Sequence, residues 1–456
     1  MSDDKVIQIS SKVVNKNLAE AEAVRLPDGT TLSEQDVKTL VKMNTIYTHA
    51  VVGGKNLIIS LKHCQVQGQA FTFEPLEEFR KGFMHKPKLG VEKKKNPAQA
   101  WLEWGGKNYK PDGTGFYPIP DKCPATVFNF FQGYRVQPKA GDCTVYLEHL
   151  QHIICNNDPA AYAYLIGWMA HLFQKPDEKP NVAIVLKSVE GTGKGAMVEP
   201  LMMILGTHGN KTNGSYALAG RFNGIIANRL LIFADEVDLT DKHTADRLKS
   251  IITETTVNLE RKGLEIEPLP NNCRLIFASN HGRVLNAGIR ERRYLVLEPS
   301  EAKAQDSAYF TALWAWTHNG GAAHLLHYLL QVDISDFNPY KCPQTQALID
   351  EKLAALSGIN RYFYTEIMKA EPFDGKLRIN AGELVTDFMT WCESHDIVTN
   401  EPAARSVTGK MMVRLNVTVG GRSDRGGGKV YEIPDRDVLV QQFANLLDIP
   451  DENLNP

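Results

Sequence analysis

The chain has 456 residues, of which 43% are apolar and 23% are charged, a balance typical of globular proteins and unlike that of collagen-like or low-complexity chains. The formal net charge is −2, so any surface that binds nucleic acid must be a local basic patch. The seven cysteines are odd in number and lack C-x-x-C spacing, which argues against a disulfide framework or a zinc site and favours a reducing cytoplasm.

The amino-terminal part of the chain is polar at first and then rich in β-forming residues. Residues 1–45 are mixed in charge, with one short helix predicted at Ser33–Met43, so we expect a loosely attached lead-in. Two segments, Tyr47–Val52 and Asn56–Leu61, flank the pair Gly53-Gly54 and predict a hairpin. The chain has no signal-peptide pattern and no apolar run of about 18 residues, so we expect a soluble, cytoplasmic protein.

A helical pattern at Val145–Phe173 precedes a segment of α/β character. Apolar residues recur at helical spacing in that pattern, and a polar break at Lys175–Pro180 follows it. Beyond the break, continuous apolar runs alternate with helical stretches, which predicts a parallel sheet with helices on both faces. The predicted strands are Val182–Leu186, Leu230–Ala234, Arg274–Ala278 and Tyr294–Leu297. Residues 377–433 then predict two helices followed by a hairpin.

The strongest functional signal is a glycine-rich loop between the first of these strands and a helix predicted at Met197–Leu205. The segment follows the pattern of a phosphate-binding loop, in which backbone N–H groups and a helix N-terminus surround a phosphate. The predicted nucleotide contacts are Glu190, Gly191, Thr192, Gly193, Lys194 and Gly195. Lys194 would reach the β- and γ-phosphates, whereas Gly195 stands where a hydroxyl that binds Mg²⁺ is usual. The alternative is an ordinary glycine turn between a strand and a helix.

Two further strands end in polar residues suited to ATP hydrolysis. The strand at Leu230–Ala234 leads into Asp235, a predicted Mg²⁺ ligand, and Glu236, a carboxylate that would polarise the attacking water. The strand at Arg274–Ala278 leads to Asn280, which can orient that water or contact the γ-phosphate. Each strand end alone has an ordinary structural explanation, but the three together favour an ATPase with ATP and Mg²⁺ as cofactors.

Two basic clusters accompany these strand ends. Arg290, Arg292 and Arg293 precede the last strand and can contact a nucleotide held by a neighbouring subunit, with Arg292 and Arg293 favoured over Arg290. Between the second and third strands, a predicted hairpin carries Arg261 and Lys262 at its tip, where a cation can grip the phosphates of a DNA strand. The alternatives are a solvated basic turn for the arginines and an ordinary surface hairpin for the tip.

Together, these motifs resemble superfamily 3 helicases, the AAA+-related motors of small viruses, phages and plasmids, and most of all the helicase module of phage and mobile-element primase-helicases. The resemblance covers roughly residues 125–370 and rests on Gly191–Gly195, Asp235-Glu236, Lys262 and Ser279-Asn280. It implies a replicative DNA helicase with a P-loop AAA+-like fold, a homo-hexameric ring and ATP bound between subunits. It also implies translocation on single-stranded and forked DNA in a bacterial host cytoplasm, with a separate primase or polymerase as an expected partner.

The resemblance gives each part of the chain an expected domain. The predicted domains are an accessory α+β domain at 1–145, a helical collar at 146–178, the ATPase at 179–300, a helical subdomain at 301–372 and a winged-helix-like domain at 373–456.

The predicted carboxy-terminal helix-helix-hairpin resembles a winged helix with a basic face. Its predicted DNA contacts are Arg405, Lys410, Arg414, Arg422, Arg425 and Lys429. A winged helix that binds protein is the alternative. For the whole chain, two other functions stay open: an initiator or loader ATPase that does not unwind DNA, and a DNA-binding scaffold whose ATP site has decayed. Gly195 is the residue that favours the scaffold.

Overall fold

The computed structural model describes residues 25–64, 68–214, 225–259, 267–288, 291–422 and 428–454. The chain divides into two compact units. The first consists of Met1–Gln137 and Met203–Gly209, and the second of Pro138–Met202 and Asn210–Pro456. Within the described ranges, no helix combines the length and the apolar character needed to cross a membrane. The five predicted domain boundaries stay predictions.

A four-stranded sheet organises the first unit. Its strands are β1 (Tyr47–Val52), β2 (Lys55–Cys64), β3 (Gly68–Pro75) and β4 (Tyr109–Lys110), and their order in the sheet is β3-β2-β1-β4. A separate parallel pair is formed by β5 (Thr114–Gly115) and β6 (Phe128–Asn129). The strands β1 and β2 are antiparallel, and Gly53 and Gly54 between them have positive φ, which glycine adopts without steric cost. The predicted hairpin is confirmed.

The lead-in that was expected to be loosely attached contributes to the core of the first unit from residue 25 onward, so this prediction was wrong for those residues. Leu26 and Leu40 are 3% and 0% exposed, and both belong to one hydrophobic cluster with Trp101. Ser33 and Asp36 cap the helix that carries Leu40, because each side chain accepts a hydrogen bond from the other residue's N–H. The polar character of the segment concealed these apolar residues. Residues 1–24 lie outside the described part.

Among the described residues, the α-helices of the first unit are α1 (Glu34–Asn44), α2 (Leu76–Gly82) and α3 (Pro97–Glu103). The buried Phe79 and Trp101 bring α2 and α3 into the same cluster as α1.

A five-stranded sheet forms the centre of the second unit. Its strands are β7 (Ala183–Lys187), β8 (Gly209–Asn213), β9 (Leu231–Asp235), β12 (Arg274–Ser279) and β13 (Tyr294–Leu297), and their order in the sheet is β13-β7-β12-β9-β8. Two further strands, β10 (Thr256–Leu259) and β11 (Glu267–Pro270), form a separate antiparallel pair. The strand β12 is parallel to both β7 and β9, and β13 is parallel to β7. Successive residues such as Ile184 and Val185 are both 0% exposed, so both faces of the sheet are covered. The predicted parallel sheet is confirmed.

Helices surround this sheet within the second unit. They are α4 (Thr144–Glu148), α5 (Pro159–Gln174), α6 (Lys194–Leu205), α7 (Lys242–Thr253), α8 (Ser307–Trp316), α9 (Ala322–Gln331) and α10 (Gln346–Ala354), and a π-helical segment at His149–Ile154 continues α4. The next helix, α11 (Gly358–Ile367), packs with the carboxy-terminal elements. The buried Trp168 of α5 donates from Nε1 to the Val182 carbonyl at 3.0 Å, next to the start of β7. On α7, Leu248 and Ile251 pack with the strands in one core.

The carboxy-terminal elements form a second core in the same unit. They are β14 (Arg378–Asn380), α12 (Ala381–Ser394), α13 (Glu401–Arg414), β15 (Val419–Arg422), β16 (Lys429–Glu432) and α14 (Arg436–Leu447), and the sheet order is β14-β16-β15. The two predicted helices and the hairpin are confirmed as elements. Helix α10 joins the two cores, because Leu348 packs with the central sheet whereas Ile349 packs with the carboxy-terminal elements.

Candidate nucleotide-binding site

Three neighbouring strands of the central sheet end in the residues predicted to act on a nucleotide. The strands β7, β12 and β9 are adjacent and parallel, so their carboxyl ends share one edge of the sheet. Ser188 follows β7, Asn280 follows β12, and Asp235 ends β9. Lys194, at the start of α6, donates a hydrogen bond from Nζ to Asn280 Oδ1 at 2.7 Å. The structure therefore brings the lysine, the asparagine and the aspartate to one edge, and their roles there stay predictions.

The loop before α6 depends on glycine at two positions. Gly191 and Gly193 have φ of +79° and +94°, values that glycine adopts readily and other residues rarely adopt. Thr192 between them is fully buried, and its hydroxyl lies 2.6 Å from the hydroxyl of Ser188. Because α6 begins directly after Gly193, the unpaired N–H groups of its first turn border the loop. Such an arrangement of N–H groups suits an anion.

The Lys194 ammonium is held by the loop itself. It donates to the Ser188 carbonyl at 2.7 Å and to the Val189 carbonyl at 3.0 Å. Partial burial lowers the pKa of Lys194, while the charges of Asp235 and Glu190 act in the opposite direction. These contacts keep the ammonium at the strand ends, where an anion can take the place of the two carbonyls.

The two acidic residues at the end of β9 differ in their settings. Asp235 is partly buried, and its Oδ1 accepts a hydrogen bond from the Glu236 N–H at 2.9 Å. Glu236 is exposed and has φ of +54°, a left-handed conformation that costs a residue of this type roughly 1 kcal/mol. The neighbouring Val237 N–H is fixed to the Ala278 carbonyl of β12 at 3.0 Å, which holds the backbone in place. Strain of this kind is concentrated at functional sites.

His149 contacts the phosphate loop at the Gly193 carbonyl, and nothing in the sequence indicated this contact. The buried imidazole lies 3.2 Å from the Gly193 carbonyl through Nε2 and 2.9 Å from the Tyr309 hydroxyl through Nδ1. Burial lowers the pKa of His149 to about 4, with the bond to the Gly193 carbonyl opposing the shift, so the ring is neutral near pH 7. A neutral ring donates from one nitrogen only, so Nε2 donates to the carbonyl and Nδ1 accepts from Tyr309.

Glu351 is a second residue that sequence reasoning missed. It lies on α10 with 1% exposure, and its Oε1 is 2.9 Å from the ammonium of Lys187, the last residue of β7. Its Oε2 accepts from the N–H groups of Val284 and Leu285 at 3.1 and 2.8 Å. One buried carboxylate therefore ties the residue before the phosphate loop to the segment that follows Asn280.

Arg292 and Arg293 lie at the amino ends of the strands of the central sheet, away from the phosphate loop at the carboxyl ends. They precede β13, and the Arg293 carbonyl accepts from the N–H of Ala183, the first residue of β7. The buried carboxylate of Glu291 accepts from both of their backbone N–H groups and contacts Arg293 Nη1 at 3.4 Å. The five residues of β7 separate this edge from the loop, a distance of roughly 15 Å at strand rise. Within one chain, neither arginine stands beside Lys194.

The remaining predicted contacts lie in the carboxy-terminal elements or outside the described residues. The exposed ones are Arg405, Lys410, Arg414 and Lys429. Arg405 already pairs with Glu401 at 2.6 Å. Arg422 ends β15 and is described in its backbone alone. Those outside the described residues are Arg261, Lys262, Arg290 and Arg425. The predicted DNA contacts of all these residues stay predictions.

Comparison with known proteins gives three findings. A family model described as a family of unknown function, DUF5906, matches residues 186–293, a stretch that contains the loop and all three strand ends. A DNA primase-polymerase of Nitratiruptor phage NrS-1 is 26% identical over 219 residues, which are 47% of this chain and 29% of that protein. The aligned part is thus less than a third of the length of that relative.

Solved structures of the NrS-1 C-terminal region without ligand are similar over most of this chain. Two of them give TM-scores of 0.63 and 0.62 at 16% identity, covering 88% of this chain and 98% and 99% of theirs. At that identity the likeness shows a shared fold.

Proposed function

We propose that this chain is an ATP-hydrolysing component of phage DNA replication, with its ATP site at the carboxyl edge of the central sheet. The observation that carries the proposal is the convergence of Lys194, Asp235 and Asn280 at the ends of three adjacent parallel strands. A glycine loop at a helix N-terminus completes the arrangement. The relative named as a phage DNA primase-polymerase supports a role on DNA.

The residues at this edge fit ATP and Mg²⁺ by their chemistry. Gly191 and Gly193 leave backbone N–H groups without side-chain cover, and Lys194 can exchange two carbonyls for the β- and γ-phosphates. Asp235 offers the hard carboxylate oxygen that Mg²⁺ prefers. Among the residues that the structure describes, no group of three or more His, Cys, Asp or Glu side chains could hold a metal, so phosphate and water oxygens would complete the shell. When bound, Mg²⁺ neutralises charge on the phosphates.

Glu236 and Asn280 are the groups proposed to act on the attacking water. The exposed Glu236 carboxylate follows Asp235 directly and is free to polarise a water beside the γ-phosphate. Asn280 contacts Lys194 Nζ, so it borders the place that a γ-phosphate would occupy. A Cβ added at Gly195 would meet no atom within 4 Å, so this position has room for the waters that Mg²⁺ usually keeps.

Within this proposal the chain is a replicative helicase of the superfamily 3 kind, with a P-loop AAA+-like ATPase at 179–300. The helices at 146–178 are the collar, and the elements at 373–456 are a winged helix. Residues 1–145 are the accessory domain, and residues 301–372 are the helical subdomain. A homo-hexamer would place ATP between subunits and move along single-stranded or forked DNA. The location of Arg292 and Arg293 at the far edge supports contact with a neighbour's nucleotide, because neither stands beside its own loop.

Hydrolysis by the purified chain, with and without single-stranded DNA, tests the ATP site. We expect Lys194→Ala to retain less than about one tenth of the wild-type rate, because the cation for the β- and γ-phosphates is gone. The matched control is Lys341→Ala, which removes an exposed lysine next to Cys342, whose Sγ contacts the Arg292 carbonyl at the opposite edge. Equal rates for the two variants would refute the site. A strand-displacement assay then separates a helicase from a loader, which hydrolyses ATP and leaves the duplex intact.

A further inference from the structure

A cavity of about 710 Å³ lies in the second unit, between the segment before β13 and the carboxy-terminal elements. Its lining includes Arg292, Arg293, Arg414, Asn416, Gln442 and Asn445. Sites for small ligands usually measure about 300–1,000 Å³, so the cavity has room for one nucleotide.

Three arginines line this cavity, and they outnumber the two carboxylates that lie with them. The side chains of Arg292 and Arg414 are exposed, and across the described ranges neither makes a hydrogen bond or an ion pair. Arg293 shares the buried Glu291 carboxylate at 3.4 Å. Among the described residues that line the cavity, Asp448 carries a carboxylate. The cavity therefore carries an excess of positive charge and suits an anion that guanidinium groups can bind in pairs of hydrogen bonds.

The same cavity presents amide groups and an apolar side chain. Gln442 lines the cavity, and its buried Oε1 has no hydrogen-bond partner in the described part of the chain, so a rotation of the side chain would let the amide bond to a ligand. Asn416, with φ of +50°, follows the end of α13 and adds a second amide near Arg414. Leu446 offers an apolar contact. Cations for a phosphate, amides for hydrogen-bonding edges and an apolar surface are together what a nucleotide needs.

The geometry points to a site for one nucleotide of single-stranded DNA, with its phosphate on Arg292, Arg293 and Arg414 and its base against the amide groups. An unpaired base can enter the cavity with its edge free, whereas the edge of a paired base is engaged with its partner. This site rests on the proposed role on DNA but requires no ATP hydrolysis. It gives Arg292 and Arg293 a function within their own chain, as the alternative to contact with a neighbour's nucleotide.

Binding of a fluorescein-labelled oligo-dT, followed by anisotropy over a range of salt concentrations without nucleotide or Mg²⁺, tests the site. Arg292→Gln and Arg414→Gln should each weaken binding and each lower the log-log salt slope by roughly 0.7, the value for one lost phosphate contact on a single strand. The matched control is Arg378→Gln, which should change neither quantity because Glu432 already pairs with that exposed guanidinium at 3.4 Å.

Two further variants separate charge from geometry. Arg293→Lys keeps a cation beside the buried Glu291 and loses the planar fork, so affinity should fall while the salt slope stays constant. Gln442→Leu removes an amide without changing charge, and it should likewise lower affinity at a constant slope. Thermal unfolding curves for each variant establish that the binding defects occur in folded protein.

Several outcomes would overturn the site. Unchanged affinity and slope for Arg414→Gln would do so, and equal losses for Arg378→Gln and Arg414→Gln would show a diffuse basic face instead. Competition by free dTMP as effective as that of unlabelled oligo-dT would identify a pocket for free nucleotides. If Arg292→Gln bound oligo-dT normally but lost ATP hydrolysis, the role of Arg292 would be contact with the nucleotide of a neighbouring subunit. Loss of hydrolysis in Lys194→Ala is independent of these results and concerns the ATP site alone.

Discussion

Replacing Glu351 by glutamine tests what fixes the phosphate loop to the rest of the second unit. The carboxylate is 1% exposed, contacts the Lys187 ammonium at 2.9 Å and accepts from the N–H groups of Val284 and Leu285. Glutamine keeps the size of the side chain but loses the charge, and its NH₂ group must face either the ammonium or the two N–H groups. Breaking a buried ion pair on one side costs about 3–5 kcal/mol. Lys187 keeps 16% side-chain exposure, so we expect the lower end, about 3 kcal/mol.

Urea unfolding measures how far Glu351→Gln lowers the free energy of unfolding. The matched control is Glu401→Gln, since Glu401 pairs with Arg405 at 2.6 Å but both side chains are more than half exposed, with 62% and 55% exposure. An exposed pair of this kind contributes about 0.2–1 kcal/mol. The double variant Lys187→Met with Glu351→Gln should lose less than the sum of its single changes, because each single change leaves a buried charge that the double change removes.

Glu351→Gln should also weaken ATP binding under conditions in which this variant is still folded. Lys187 directly precedes Ser188, and Val284 lies shortly after Asn280, so releasing both segments loosens two of the three strand ends. A loss from Glu351→Gln no larger than that from Glu401→Gln would contradict the reasoning, and additive effects in the double variant would show that the two groups do not interact.

The remaining predictions concern the loop and the acidic pair. Glu236→Gln should bind ATP with near-normal affinity and stop turnover, because Asp235 remains while the carboxylate that polarises water is lost; normal steady-state hydrolysis would contradict this role. Gly193→Ala should abolish nucleotide binding, because the added Cβ would lie 2.4 Å from His149 Cε1 and the backbone φ of +94° disfavours alanine. Gly195→Ala should bind nucleotide normally, because a Cβ at that position meets no atom within 4 Å. Similar binding constants for the two variants would refute the steric argument. The pKa of His149 is lowered from 6.5 to about 4, so its contribution to stability is complete above pH 6.5 and is lost as the pH falls toward 4. Urea unfolding at pH 7 and pH 5 should therefore show a smaller pH dependence in His149→Gln than in the wild type, and an unchanged dependence would count against the neutral buried ring.

The strands of the central sheet could be predicted because each is a continuous apolar run that leads into a polar residue. Lys194, Asp235 and Asn280 each follow such a run or the loop after it, and parallel pairing then brings the strand ends together. The hairpin in the first unit was predictable for a similar reason, since Gly53-Gly54 separates two β-forming segments. These features depend on local sequence and on one general rule of parallel sheets.

The supporting residues could not be predicted, because their partners are distant in the chain. His149 sits in an apolar helical pattern that gives no sign of the Gly193 carbonyl, and Glu351 reads as an ordinary surface residue of a helix. The meeting of Arg414 with Arg292 likewise arises from packing of the carboxy-terminal elements and not from spacing. Tertiary packing decided each of these contacts, and no local pattern records it.

Helix α10 sets a limit on how this molecule can be divided. Leu348 belongs to the core of the central sheet and Ile349 to the carboxy-terminal core, while Lys352, 1% exposed, donates to Gln344 Oε1 at 2.8 Å. A fragment that ended at residue 300 would lack this helix, leave the Lys187 ammonium without its carboxylate and expose apolar surface on the sheet. Any part of the second unit that folds independently is therefore expected to extend at least through Ala354, and the two cores that share the helix are expected to unfold in one cooperative transition.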